Sequence, residues 1–372
     1  MINKYTIGVV GAGGFAKFAL KAFLNNSEVK FGAVYDINTE ASKSFANNFN
    51  GKSFTTYNEL LDSDEINMVY VATPPYLHYE QSLQALKKGK HVICEKPVAF
   101  KYDEAVELNQ LPKSKGLLFI VNLMQRYNPL FLQIKQLFES NVLGEFLHGY
   151  MENYASDQKL PPNHWFWDEK LSGGIFIEHG VHFFDLFAGW LGKGELITSI
   201  EQHRKNTPIE DKAADRVQAV VKFPKGIVNY YHGFNQPDML DRQEFRLQFE
   251  KGELTLFEWV PTRFELNAVV TKSEYTKLIN ILSPDSIKIT ERFSDSILVK
   301  GNFKDLSPDF KVNISGGEKV EKEDRYLEML SNMINDQLKW IKNKQHKRLL
   351  TAQNAVDSIE IAINAHTKAK RL

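Results

Sequence analysis

The chain has 372 residues, of which 43% are hydrophobic and 25% charged, enough for two domains with sizeable cores. Its 46 Lys and Arg residues equal its 46 Asp and Glu residues, so the formal charge is zero and nothing suggests a nucleic-acid or membrane-surface partner. The one cysteine, Cys94, excludes an internal disulfide, and no segment has the make-up of a signal peptide or the length of a bilayer span. The expectation is a soluble cytoplasmic protein with no nucleic-acid or membrane partner.

Up to about residue 125, strand and helix patterns alternate, as in a parallel sheet covered on both faces. A strand at 6–10 runs into a helix at 15–24, with Phe15, Ala19, Ala22 and Phe23 on one face. A second strand at 32–35 precedes a helix that Asn38 is placed to cap, and Asn58 is expected to cap a short helix ending at 61. A weak strand near Phe54 and a stronger one at 68–72 follow, broken by Pro74-Pro75. A helix to about 87, strand 92–94, helix 103–111 and strand 117–122 complete the unit. Cys94, inside an apolar strand, reads as a small buried side chain.

From about residue 126 the texture changes. After a helix starting at Pro129, strand-like runs occupy 145–154, 196–203, 217–223, 227–234, 245–249, 254–259 and 264–270, with Lys225-Gly226 and Lys251-Gly252 at hairpin positions. A helical, aromatic-rich stretch at 172–190 interrupts them. Residues 283–319 read as weak strands and loops, and helices at 322–342 and 351–370 close the chain. The expected fold class is α/β: a doubly wound parallel sheet over 1–125, then an α/β domain with an open, mostly antiparallel sheet over 126–372.

Gly11-Ala12-Gly13-Gly14-Phe15-Ala16 follows the first strand and opens a helix, matching G-x-G-x-x-A. Gly11 permits the tight turn, Gly13 lets backbone approach a pyrophosphate, and Ala16 keeps helix and strand close. Asp36 ends the second strand about 20 residues on, where a carboxylate accepts from a ribose 2′-hydroxyl and repels a 2′-phosphate. The pattern therefore favours NAD over NADP.

Further motifs follow in order: Thr73-Pro74-Pro75-Tyr76-Leu77-His78, Gly89-Lys90-His91-Val92, Glu95-Lys96-Pro97, Arg126-Tyr127-Asn128-Pro129, and Gly173-Gly174 through Glu178-His179-Gly180-Val181-His182-Phe183-Phe184-Asp185. Together they resemble the glucose-fructose oxidoreductase/inositol dehydrogenase/rhizopine-catabolism family, Gfo/Idh/MocA, over nearly the whole chain. The resemblance implies a Rossmann domain, a second α/β domain and an active site between them. It also implies a cis peptide before Pro97, Lys96 at the nicotinamide, and His182 exchanging a proton with a substrate hydroxyl. Gly14, Phe15, Thr73, Pro74, His78, Glu95, Lys96 and Arg126 are expected to join Gly11, Gly13, Ala16 and Asp36 around the cofactor. Relatives imply a homo-oligomer, a dimer or tetramer.

One departure stands out: Glu178 occupies the place of the family's usual aspartate. It is expected to orient His182, touch substrate directly, or do neither. The four-residue spacing of Glu178 and His182 places both on one helix face, where a carboxylate favours a protonated imidazole. His179 is a further neighbour, but no other ligand at metal spacing accompanies the pair, so no metal is expected.

Asn163-His164-Trp165-Phe166-Trp167 is an aromatic loop suited to the flat face of a sugar. Expected substrate contacts are Lys96, Arg126, Tyr154, His164, Trp165, Trp167, Glu178, His179 and His182. The leading expectation is an NAD-dependent oxidoreductase of a sugar, cyclitol or derivative, with Lys96, His182 and Glu178 catalytic. One alternative is a redox-neutral, NAD-dependent glycosidase that oxidises, eliminates, adds water and reduces, on an anionic or sulfo-sugar glycoside among other candidates. A non-catalytic sensor of NAD and sugar is another.

Overall fold

The computed structural model describes residues 5–203, 214–294, 298–301 and 305–372. Its first sheet contains β1 (Tyr5–Val10), β2 (Val29–Tyr35), β3 (Lys52–Ser53), β4 (Met68–Val71), β5 (His91–Cys94) and β6 (Phe119–Val121), all parallel and ordered β3-β2-β1-β4-β5-β6. The strands read as near-continuous apolar runs because helices cover both faces: β1, β4 and β6 are buried throughout. The strand order reverses between β1 and β4, which opens a crevice at the carboxyl ends of the strands. Five strand ends deliver polar or flexible residues to that one edge: Gly11 after β1, Asp36 after β2, Thr73 after β4, Glu95-Lys96 after β5 and Asn122 after β6.

Local signals largely explain the helices. Asn38 caps Thr39–Phe49 as expected, its Oδ1 accepting from Ala41 N at 3.0 Å. The next helix, Tyr57–Asp62, is capped by Thr56 and not by Asn58. Thr56 wins because Glu59 lies three residues on and bonds back, forming a capping box that Asn58 has no partner to match.

The second sheet has ten strands: β7 (Phe146–Ser156), β8 (Glu195–Gln202), β9 (Arg216–Phe223), β10 (Gly226–Gln236), β11 (Arg242–Phe249), β12 (Gly252–Phe257), β13 (Arg263–Val270), β14 (Ser286–Arg292), β15 (Phe310–Gly317) and β16 (Lys370–Arg371). Their order is β14-β15-β13-β12-β11-β7-β10-β9-β8-β16, antiparallel except for the β7–β10 and β8–β16 pairs. Its inner face packs against the helix Val181–Leu191, with Phe184 on Tyr230 at 4.8 Å between ring centroids and Phe183 on Phe245 at 5.7 Å. A helix at Lys272–Leu282 was not expected from the sequence. Part of the 283–319 stretch forms β14 and β15, while 295–297 and 302–304 lie outside the described residues.

The closing helices Lys322–Lys342 and Ala352–Thr367 return to the first sheet's helices. Ser331 donates to Ala22 O at 3.0 Å, Asn26 to Asn335 at 2.6 Å, and Asn109 to Gln353 at 2.7 Å. Among the described residues no helix is long and apolar enough to cross a membrane.

Candidate active site

Two cavities meet at the strand-end edge. The larger, about 840 Å³, runs over the glycine turn and is lined by Gly11, Gly13, Gly14, Phe15, Ala16, Asp36, Thr73, Pro74, His78, Glu95, Lys96, Trp165 and Glu178, among others. Its shape fits a dinucleotide on three local grounds. Gly11 has φ +96° and a Cβ there would fall 2.5 Å from Ala72 O, so only glycine makes the turn. A Cβ at Gly13 would point into open space, so bare backbone faces the cleft. Gly13 also leaves the helix Gly14–Leu24 without a side-chain cap, so its first N–H groups remain available to an anion. Asp36 is already oriented: its Oδ2 accepts from Ala12 N at 2.7 Å and its Oδ1 from Asn38 N at 2.8 Å.

The second cavity, about 690 Å³, shares Phe15, Glu95, Lys96 and Glu178 with the first and adds His179, His182, Asn122, Trp259, Lys322 and Tyr326. Lys96 sits at the junction. The Lys96–Pro97 peptide is cis. Its ammonium donates to the Glu178 carboxylate and, at 2.7 Å, to the Glu178 carbonyl. On its other side lies Glu95, which accepts from Tyr70 at 2.5 Å and Asn122 at 2.9 Å; burial raises its pKa against those bonds and Lys96.

Glu178 lies in a π-helical turn, Phe176–Gly180, that leads into the helix carrying His182. The expected carboxylate–imidazole pair does not form there. Glu178 turns to Lys96, while His182 Nδ1 is buried without a partner. Burial, the Lys96 charge and His179 push the His182 pKa well below its usual value, so the ring is neutral, opposite to the expectation from spacing. Burial and Lys96 likewise lower His179 to about 3. His179 in turn packs edge-on against His232, at 5.3 Å between centroids.

The remaining candidates separate. Arg126 is 8% exposed and grips Asp185 through Nε and Nη2, both at 2.8 Å, so it touches neither cavity. It was expected at the cofactor through its place in the Arg126-Tyr127-Asn128-Pro129 motif, but the buried carboxylate of Asp185 captures it. Tyr154 alternates with the buried Met151, Asn153 and Ala155 along β7, which puts it on the opposite sheet face. There it packs on Tyr231 at 4.9 Å beneath the Arg242 guanidinium at 4.7 Å. Of the aromatic loop, Trp165 alone lines either of these two cavities, and it is the nucleotide cleft. Trp167 is buried and donates to Leu160 O at 3.0 Å, and His164 accepts from Phe166 N at 3.3 Å, so both serve the loop itself. His78 lines the nucleotide cleft, but its ring nitrogens each face a carbonyl, Pro97 and Thr73, at 2.7 Å, so it ties two loops together.

Trp259 and Tyr326 supply the apolar wall assigned from sequence to the aromatic loop. Trp259 lies 5.6 Å from the His182 ring and 5.5 Å from Tyr326, with the Lys322 ammonium 5.7 Å from its centroid. Trp259 and Lys322 each stand at the end of a predicted element, the only signal available, because no spacing rule connects residues 259 or 322 to Lys96. Outside both cavities, Glu169, Glu201 and His366 place possible ligand atoms within 4.8 Å of one another. That group is an ion network: His366 bonds Glu201 at 2.9 Å, and Arg371 lies 3.5 Å from Glu201 and 3.8 Å from Glu169.

Comparison with known proteins agrees with this architecture. Residues 5–123 match the family described as the oxidoreductase family with an NAD-binding Rossmann fold, and residues 131–255 match the GFO/IDH/MocA C-terminal domain. Glucose-6-phosphate 3-dehydrogenase of Bacillus subtilis is 31% identical over 215 residues, covering 57% of this chain and 60% of that enzyme. The 2,7-anhydro-N-acetylneuraminate hydratase of Escherichia coli is 29% identical over 244 residues, covering 64% of each. The match thus spans less than two thirds of either relative's length. A crystal structure of KijD10, a 3-ketoreductase from Actinomadura kijaniata in complex with NADP and TDP-benzene, superposes with a TM-score of 0.75 at 17% identity, covering 100% of this chain and 99% of that one. With both matched regions in sequence and the fold shared end to end, the chain belongs to the Gfo/Idh/MocA oxidoreductase family and begins with its NAD-binding Rossmann domain.

Proposed function

We propose that this protein is an NAD-dependent enzyme acting at a hydroxyl-bearing carbon of a sugar, cyclitol or sugar derivative. The observation that carries this is the shared position of Lys96: one ammonium lines both the nucleotide cleft and the adjoining cavity, beside the neutral His182. Residues 1–125 form the nucleotide-binding unit, and 126–372 the substrate-binding and oligomerisation unit of a cytoplasmic dimer or tetramer.

The nicotinamide supplies the hydride acceptor or donor. This chain's residues handle the oxygen and its proton. Lys96 hydrogen-bonds the substrate oxygen and stabilises negative charge as it develops there. Neutral His182 accepts the hydroxyl proton, which a pre-protonated ring could not do. The same Lys96 charge that polarises the hydroxyl opposes a proton on His182, and Glu178 holds that ammonium in place. Trp259 offers a flat face to the sugar ring, with Asn122 and Lys322 available to its hydroxyls or an acidic substituent.

The likeness to a dehydrogenase of glucose 6-phosphate supports net oxidation. The likeness to a hydratase supports the redox-neutral reading, in which the chain oxidises, eliminates, adds water and reduces again. Screening sugars, sugar phosphates and aryl glycosides with NAD separates them. Accumulating NADH identifies net oxidation, whereas product without net NADH, from catalytic NAD, identifies the redox-neutral cycle. Turnover by neither route across the screen, despite NAD binding, would favour a sensor.

A further inference from the structure

A third cavity lies at the opposite end of the nucleotide-binding sheet, beneath the start of β6, and has a volume of about 490 Å³. Open α/β sheets take nucleotides at the carboxyl ends of their strands, so this space is not part of the cofactor cleft. Its walls come from both parts of the molecule. Lys113, Gly116 and Phe119 belong to the first sheet and its last helix, while Trp340, Lys344, Arg348 and Thr351 belong to the closing helices and the loop between them.

The charges in this cavity are lopsided. Lys113, Lys344 and Arg348 line it, and its lining contains no carboxylate. Two of these cations share one ring: the Lys344 ammonium is 3.5 Å and the Arg348 guanidinium 4.0 Å from the Trp340 centroid. The polar contacts that fix them are neutral, Lys344 to Gly116 O at 3.1 Å and Arg348 to Gln337 Oε1 at 3.0 Å. Asp336 is the carboxylate acting on Arg348, yet it is engaged by Tyr127 at 2.6 Å, His346 at 2.6 Å and Leu349 N at 3.0 Å. Burial and the neighbouring Arg348 both lower the Lys344 pKa, as expected of a cation without a close counter-charge. The sixteen-residue helix Ala352–Thr367 begins at the same wall and has no acid in its first turn, so its positive end adds to the field.

We propose that this cavity is a second ligand site, separate from the catalytic cleft, that binds the phosphoryl group of a small phosphate ester. Arg348 presents a planar fork to the phosphoryl oxygens, and Lys344 and Lys113 close on the remaining charge. The space exceeds that of a bare oxyanion and leaves room for a small organic body against Leu117, Phe119 and the edge of Trp340. An occupant would contact the first domain's last helix and the closing helices together, and would stabilise their packing.

The test is calorimetric titration of the full-length protein, saturated with NAD to block the nucleotide cleft, with glycerol 3-phosphate and inorganic phosphate, and with glycerol as the uncharged control. Lys113 is exposed and without an ion-pair partner among the described residues, so Lys113→Glu leaves the fold intact while reversing a charge in the wall. The expected result is saturable binding of the phosphates but not of glycerol, weakened on the order of tenfold by Lys113→Glu and again by Arg348→Gln, with NAD affinity unchanged in Lys113→Glu. Absence of saturable phosphate binding overturns the proposal. So does binding that Lys113→Glu and Arg348→Gln both leave unaltered, since the ester would then sit in the Lys322 cavity.

Discussion

Arg126 provides the sharpest test of what holds the start of the second domain in place. Arg126→Leu removes a guanidinium that makes hydrogen bonds of 2.8, 2.8 and 3.2 Å to Asp185, which is itself 1% exposed. The carboxylate would be left buried and unpaired, a change that costs roughly 3–5 kcal/mol. At about 2–4 °C per kcal/mol for a domain of 150–250 residues, melting should fall by about 6 to 20 °C. Replacing both partners, Arg126→Leu with Asp185→Leu, should recover most of that loss, because neither charge then needs burial. The pH dependence has a defined sign. Burial already raises the Asp185 pKa, with Arg126 pulling the other way. Without Arg126 the folded carboxyl takes a proton more readily than the unfolded one, so the gap between variant and unaltered protein should narrow toward acid and widen as pH rises. Urea unfolding across pH measures the stability terms, and NAD titration provides the control. A variant with unchanged stability but weakened NAD binding would refute this account and return Arg126 to the cofactor cleft.

Lys96→Ala should lower turnover about a hundred- to ten-thousand-fold while leaving NAD binding in place, measured by steady-state kinetics on the substrate found in the screen; unchanged turnover would remove Lys96 from the chemistry. Asp36→Ala should narrow the preference for NAD over NADP by about tenfold or more in parallel titrations. Equal affinities of the unaltered protein for the two cofactors would contradict the assignment of Asp36. His232→Phe should raise stability and reduce acid lability. His232 is fully buried with both nitrogens unpartnered, and burial followed by His179 lowers its pKa well below the usual value. The unfolded chain therefore gains a proton that the folded chain refuses, and stability is lost as pH falls below about 6.5. Urea midpoints at pH about 7.5 and about 5 should differ less in the variant than in the unaltered protein.

The parts of the site that the sequence disclosed are those in which local geometry and chemistry coincide. Gly11, Gly13 and Asp36 are bound to strand ends by backbone requirements, so spacing alone places them. Lys96 and His182 were placed by the order of motifs and share a cavity as expected. Long-range choices were not legible. Strand parity does not reveal which face of β7 is inward, because Tyr150 and Tyr154 on the outer face are as aromatic as any core residue. Trp259 and Lys322 join the site only through tertiary packing, 163 and 226 residues from Lys96 in sequence. The helix Lys272–Leu282 was missed although its capping box, Thr271 with Glu274, was readable. Only Leu278 and Leu282 of that helix are buried, too sparse a stripe to show a period.

Glu178 joins the sequence departure to the geometry. Lys96 belongs to the first domain and Glu178 to the second, so their ion pair crosses the cleft at the point where the two cavities meet. Both side chains are largely buried, at 18% and 13% exposure, so the pair is only weakly screened by solvent. An aspartate would end about 1.5 Å short, one carbon–carbon bond, and the ammonium would keep only the backbone carbonyl of residue 178. Glutamate thus achieves a direct charge contact across the cleft and leaves His182 without a carboxylate. The extra methylene therefore lets the acid hold the ammonium. Under the proposed function the lysine is the positioned charge and the histidine the neutral acceptor, an arrangement that would serve net oxidation and a redox-neutral cycle equally, because both begin by taking a proton from the same hydroxyl.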